Sequence, residues 1–378
     1  MERHDSGMGH VRMDTMTPRR RWLAALRMEP VDRLPFWPKL DGAYPPWRKG
    51  RFEGKSVDEL HAWIGSDKLV WLGRCTRDVR KRTAVETRGE NGIQRTVFRA
   101  PGGQTELVNR WDEPSHAWHP IAFPVRTLED LEIVRECFVD CTVELDPEAL
   151  ARTQARVEEV GEDGATDVSI GESPLMCWVE WLAGVENAHY LLADHREEVE
   201  TLFDAVHAVL LRRAAILCDR SPSDMLSMTE NTSTTLISPE QYRRYCARHV
   251  AEYGRIAREA GRLIYLHMCG CLKALLGDLA RIPVDAFEAF TSPPVGDTTL
   301  LDGRTACPDK CLIGGTSATL WTRPADQIGA RIEADLDALP HHRGVVVTSA
   351  GVMPPMCEPE TIKQVCERVK GYKAEVAL

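Results

Sequence analysis

The chain has 378 residues, 43% hydrophobic and 28% charged, with a formal net charge of −10. That is enough apolar material for one large core or two smaller ones. No basic stripe with interleaved aromatics is present, which excludes a nucleic-acid reader, and no apolar run reaches the ~20 residues of a membrane span.

Residues 1–15 read as a loose tail. Their polar start, MERHDSGMGHVRMD, lacks the apolar segment of a secretory signal, so a cytoplasmic protein is expected. The twelve cysteines are scattered, and several sit in apolar patterns (Cys218, Cys246, Cys366). In a reducing compartment most of them act as small buried hydrophobes rather than as a disulfide framework.

MTPRRRWLAALRMEPVDRLPFWP (16–38) predicts a helix running into a short strand, with Thr17 as cap and Pro18 at the first helical position. DKLVWLG (67–73) reads as another strand. GIQRTVFRA (92–100) and GGQTELVNRW (102–111) look like paired strands with glycine turns, a small β excursion. From about residue 165 the pattern is regular. DVSIG (167–171), MLSM (225–228), RLIYLHM (262–268), VDAFEAF (284–290), CLIGG (311–315) and RGVVVTS (343–349) read as strands. Helical segments at 195–219, 238–261, 323–339 and 358–376 fall between or after them; the second opens at Ser238 and Pro239 and closes at Gly261. Strand–helix alternation implies a parallel sheet, and eight strands in one domain of this length imply an α/β fold, a single (β/α)8 TIM barrel over residues 16–378. A doubly wound open sheet is the alternative, but no GxGxxG follows any strand.

In such a barrel, function collects at the carboxyl ends of the strands. Polar groups gather there: Glu230 and Asn231 after MLSM, His267 and Cys269 at the end of RLIYLHM, Glu288 in VDAFEAF, and Ser349 after RGVVVTS. Residues two apart on a strand face one side, so His267 and Cys269 can converge on one ion, and zinc accepts imidazole nitrogen and thiolate sulfur. The plainer alternative is a hydrogen-bonded buried histidine beside an inert core cysteine. A third ligand would come from Cys357, in the loop TSAGVMPPMCEPETIKQV (348–365), or from Glu230 or Glu288. Cys271 follows the turn at Gly270 and fits a helix start better. Glu230 and Asn231 can contact a substrate or belong to a polar loop that caps the next helix. Trp178, in GESPLMCWVEWLAG (171–184), can line a pocket or fill the core.

Taken in order, MTPRRRWLAALRMEPVDRLPFWP, LISPEQYRRY, YLHMCG, CLIGGTS and TSAGVMPP…EPETIKQV resemble the uroporphyrinogen decarboxylase superfamily over about residues 16–376. The resemblance implies a (β/α)8 barrel and one of two activities. Decarboxylases of heme synthesis carry an arginine-rich RQAGR segment for a many-carboxylate tetrapyrrole; here the corresponding place reads PFWPKLDGAYPPW, which points away from them. The other branch comprises corrinoid-dependent methyltransferases, in which a His-x-Cys pair and a later cysteine hold zinc. HMCG matches the pair at His267 and Cys269, but the family's CGVPP reads AGVMPP here, with Ala350 at the cysteine position. The implied protein demethylates a small methylated, foremost methoxylated, compound. It passes the methyl group to the cobalt of cobalamin on a separate corrinoid protein. Zinc serves as Lewis acid, Glu230 and Asn231 orient the donor, and Cys357 or an acidic residue completes the metal site. A decarboxylase of another substrate, or a binding barrel without chemistry, stands as the alternative, and a homodimer stays open.

Overall fold

The computed structural model describes residues 14–375. The short apolar runs become eight parallel strands: β1 (Phe36–Trp37), β2 (Lys68–Leu72), β3 (Gly164–Gly171), β4 (Met225–Thr229), β5 (Leu263–His267), β6 (Ala286–Phe290), β7 (Cys311–Gly315) and β8 (Val345–Thr348). The ladder runs β2–β3–β4–β5–β6–β7–β8–β1. From β2 to β8 each strand pairs with the next and β8 returns to β1, so the sheet curls into a nearly closed barrel. A doubly wound sheet would reverse its strand order at a switch point, and none occurs. Strands β6, β7 and β8 are buried along their whole length, as expected where helices cover the outer face.

Among the described residues no ladder joins β1 to β2. Asp67 spans this seam. Its backbone N–H donates to Phe36 O (2.8 Å), and its carboxylate accepts from the Phe36 N–H (3.0 Å). The same carboxylate takes a forked pair of bonds from Arg33 (2.7 and 3.0 Å) and one from Arg21. All three side chains are buried. Helix α1 (Pro18–Leu26), capped by Thr17 at the Arg20 N–H (3.2 Å), closes the amino-terminal end of the barrel. Its Trp22 packs edge-on against Trp37 (5.5 Å) and belongs with Leu69, Ala165, Met225, Tyr265, Ala286 and Ile313 to the lumen core.

The β excursion is larger than the two expected strands. Four antiparallel strands, Ala84–Glu90, Ile93–Ala100, Gly103–Asp112 and Ala117–Ala122, form one sheet, and Thr76–Val79 pairs with Thr142–Leu145. The two outer strands escape a pattern reading because one is largely exposed and the other holds Pro120, which an edge strand tolerates. Of the expected tail, residues 1–13 lie outside the described residues. Asp14 and Thr15 are held: Arg33 donates to the Asp14 carboxylate (2.9 Å) and the Thr15 N–H to Asp32 (2.8 Å). The helix expected at 238–261 starts at the Ser238 capping box but widens into a π-helical turn over Tyr242–Ala247 before continuing as Arg248–Glu259. Among the described residues no helix is long and apolar enough to cross a membrane.

Replacing Asp67 by alanine orphans part of the hydrogen bonding of two buried guanidinium groups and opens the seam. The expected loss is about 3–5 kcal/mol in denaturant unfolding. A change within about 0.5 kcal/mol, the range of an ordinary surface substitution, would show that the seam closes without it.

Candidate active site at the barrel mouth

Alternation along the strands decides what faces the lumen. On β5, Tyr265 lies in the lumen core, so His267 follows on the same face and Cys269 continues it. On β6 the same argument takes Ala286 to Glu288. Beyond β1, Lys39 reaches across the mouth. Glu288 accepts from Lys39 Nζ (3.0 Å) through one carboxylate oxygen and pairs with His267 Nδ1 through the other. Burial acts first on both partners, against their charged forms. The Glu288 charge nevertheless holds the His267 imidazolium up, and the Lys39 and His267 charges hold the Glu288 carboxyl down. Lys39 also sits over the rings of Trp37 (5.4 Å) and half-exposed Trp71 (5.5 Å).

A second chain of contacts leads from Cys269. Its thiol donates to Asn231 Oδ1 (3.3 Å), and Asn231 Nδ2 donates to Glu180 Oε2 (2.9 Å). Asn231 holds a positive φ of 40°, a strained conformation for a residue other than glycine. Glu180 lies on a π-helical turn, Trp178–Leu182, that follows β3. Its carboxyl is raised to about 7 by burial, with the Asn231 bond opposing. Below, on the lumen face of β3, Asp167 accepts from Tyr265 OH (2.8 Å) and is raised to about 7, again by burial first. One oxygen of Asp167 and one of Glu180 are buried without a partner among the described residues.

The expected site residues divide. His267, Cys269, Asn231 and Glu288 come together at the mouth. Glu230 does not join them: one residue from Asn231, it takes the opposite face of the chain. It is fully buried, accepts from the Ser173 N–H (2.6 Å), and its charge is felt by Tyr242, Cys246 and Tyr253 of the helical layer. Trp178 is core rather than pocket wall. It is fully buried, its indole N–H donates to Ala188 O (3.1 Å), and it packs edge-on against Phe203. Ser349 is fully buried and closes a local turn by donating to Gly351 O (2.8 Å). Cys357 folds back into the core, where its carbonyl accepts from Tyr44 OH (2.7 Å) and burial pushes its thiol up to about 12. Among the described residues no group of three His, Cys, Asp or Glu side chains is arranged to hold a metal ion.

Three residues of the mouth were missed. Lys39, the cation in PFWPKLDG, stands just beyond a strand end. Asp167 is a charge inside an otherwise apolar strand, and such a residue is seldom buried without a reason. Glu180 sits between tryptophans in CWVEWLAG, and its approach to Asn231 depends on the π turn.

A family model described as uroporphyrinogen decarboxylase (URO-D) matches residues 168–372. A search of the curated proteins finds no match. Among solved structures, a methyltransferase from Methanosarcina mazei is similar, with TM-score 0.56 and 16% identity over 94% of this chain and 98% of that chain. That likeness is one of fold. A protein described as a vitamin-B12-independent methionine synthase from Listeria monocytogenes shares 15% identity over 60% of this chain and 69% of that chain, but its TM-score of 0.37 carries no argument.

The buried Glu230 carboxyl is raised to about 8 by desolvation, so the folded state binds a proton that the unfolded chain releases at ordinary glutamate pH. Stability therefore falls as pH climbs from that range to about 8. Glu230→Gln should flatten this slope and exceed the native protein by roughly 1–3 kcal/mol at alkaline pH, read from denaturant midpoints across a pH series. An unchanged slope would sink the argument.

Proposed function

The chain belongs to the uroporphyrinogen decarboxylase family, and we propose that within it the protein is a methyltransferase. On this reading it demethylates a small methylated compound, the methoxylated class first, and delivers the methyl group to the cobalt of a partner corrinoid protein. The observation that carries this reading is the His267–Cys269 pair on the lumen face at the carboxyl end of β5, with Glu288 on His267 Nδ1. A carboxylate on Nδ1 orients the ring, and a metal ion would take Nε2 in place of the imidazolium proton, the arrangement that metal-ligating histidines adopt.

Zinc suits these donors: His267 and Cys269 would hold it, and when bound it would supply Lewis acidity at the leaving atom. They are two of the three protein ligands a catalytic zinc uses, and the expected third, Cys357 or Glu230, lies elsewhere. Asn231 orients Cys269 and ties it to Glu180. Trp71 and Trp37 give the mouth apolar walls around Lys39. Exposed apolar side chains on the segments after the strands, among them Trp47, Val295, Val352 and Met356, support a partner that covers this face. All twelve cysteines are free, which supports a cytoplasmic setting.

Decarboxylation of a many-carboxylate tetrapyrrole is disfavoured because the two cations of the mouth, Lys39 and His267, already share the Glu288 carboxylate and, among the residues described there, stand for the whole of its positive charge against many carboxylates. Uroporphyrinogen incubated with the protein should therefore stay undecarboxylated, and coproporphyrinogen formed at enzymatic rates would overturn the reading.

Mixed with a corrinoid protein in its reduced state and a panel of methyl ethers, the protein should generate the methylcobalamin spectrum. His267→Ala and Cys269→Ser should each lower that rate by at least about 100-fold and remove bound zinc. Full zinc content in both variants would mean that the pair holds no metal.

A further inference from the structure

A buried carboxyl with one oxygen unused calls for an explanation, because buried polar groups are almost always paired. Three such carboxyls occur among the described residues, on Asp167, Glu180 and Glu230. Glu230 faces the helical layer, and Asp167 lies lower on β3, bonded to Tyr265. Glu180 stands at the mouth, one side chain removed from Cys269.

Its proton can be placed. Asn231 Nδ2 donates to Oε2 (2.9 Å), so Oε2 is an acceptor in that bond. A proton on Glu180 belongs on Oε1, and Oε1 meets no partner among the described residues. The groups whose charges act on this carboxyl are Glu172, which raises it, and His267, which lowers it; Cys177, with Glu172, Glu180 and Glu230 around it, is itself pushed up. The balance leaves Glu180 protonated at mildly acid pH, as an O–H donor with no acceptor. A ligand bound at the mouth can supply that acceptor. The π turn over Trp178–Leu182 carries the carboxyl there, and such turns recur at functional sites.

We propose that Glu180 is the proton donor to the leaving oxygen of the methyl donor. This rests on the demethylation reading above. In the step, the electron pair of reduced cobalt(I) on the partner forms the cobalt–carbon bond. The carbon–oxygen bond breaks with its pair on oxygen, and oxygen takes the Oε1 proton. The products are methylcobalt(III), a neutral alcohol or phenol, and the Glu180 carboxylate, which regains its proton from water. Asn231 keeps Oε2 occupied throughout, so Oε1 is the oxygen left to carry the proton.

The test is Glu180→Gln, assayed with the corrinoid partner on ring-substituted anisoles from para-methoxy to para-nitro. Glutamine keeps a hydrogen-bond donor but has no proton to give. The variant should lose about 100-fold or more in kcat on the most basic leaving phenol, with KM changed by less than about threefold, and the deficit should shrink as the phenol becomes more acidic. The infrared C=O stretch of one protonated carboxyl should disappear from the variant at mildly acid pH, while its metal content should match the native protein. A uniform deficit across the series, a loss confined to KM, an unchanged infrared spectrum, or a loss of bound metal would each overturn the proposal. A native protein that transfers methyl from none of the anisoles would instead bring down the demethylation reading, and this proposal with it.

Discussion

The carboxylate of Asp67 is the contact on which the rest of the molecule depends. β1 is two residues long and has no ladder to β2, so the sheet would end there as two open edges. Asp67 supplies the missing hydrogen bonds through its own backbone and side chain, and Arg21 and Arg33 hold that side chain in place. Such a buried ionic cluster adds less net stability than its contacts suggest, because desolvation opposes the attraction. Its value is geometric, since it sets where β1 leaves the barrel and hence where Lys39 enters the mouth.

A closed ring of strand ends turns distance in sequence into proximity. Lys39 and Glu288 are 249 residues apart and 3.0 Å from each other. The triad of Lys39, Glu288 and His267 is the charged floor of the mouth, and one carboxylate serves both cations. Around it lie carboxyls in a different state. Glu288 has two cationic partners and stays ionised; Glu180 and Asp167 have only neutral donors and stay protonated up to about neutrality. Environments that push like groups apart in this way separate acid from base within one site. The fold alone would not specify this chemistry, because barrels of this class host many reactions and the side chains at the mouth select among them.

Several features that strain local rules lie beside this site. Asn231 and Ala350 hold positive φ at the ends of β4 and β8, Ala289 does so within β6, and a π turn follows β3. Each re-aims a short segment at or near the carboxyl ends of the strands. Ala350 is a buried alanine. The neighbouring loop sends Cys357 away toward Tyr44 and Arg48. At the mouth Cys269 is thus joined by carboxyls rather than by a second thiol from this loop.

Short apolar runs, glycine and proline punctuation and capping serines and threonines were legible in the chain as written, because each acts over a few residues. They determined the eight strands, the barrel and the common face of His267 and Cys269. The side on which Glu230 falls turned on a single residue step at a strand end, which nearness to that end does not resolve. Trp178 and Cys357 became core because packing volume, which no local pattern encodes, claimed them. Lys39 and Glu180 entered the site only through barrel closure and a π turn, both set by contacts between residues far apart in the chain. What the sequence by itself determined was the scaffold and one strand end of the site. Which carboxyls are charged, which are protonated and which oxygen is left free was decided by tertiary structure alone, because burial and partner distance are properties of the folded surroundings and not of the residue.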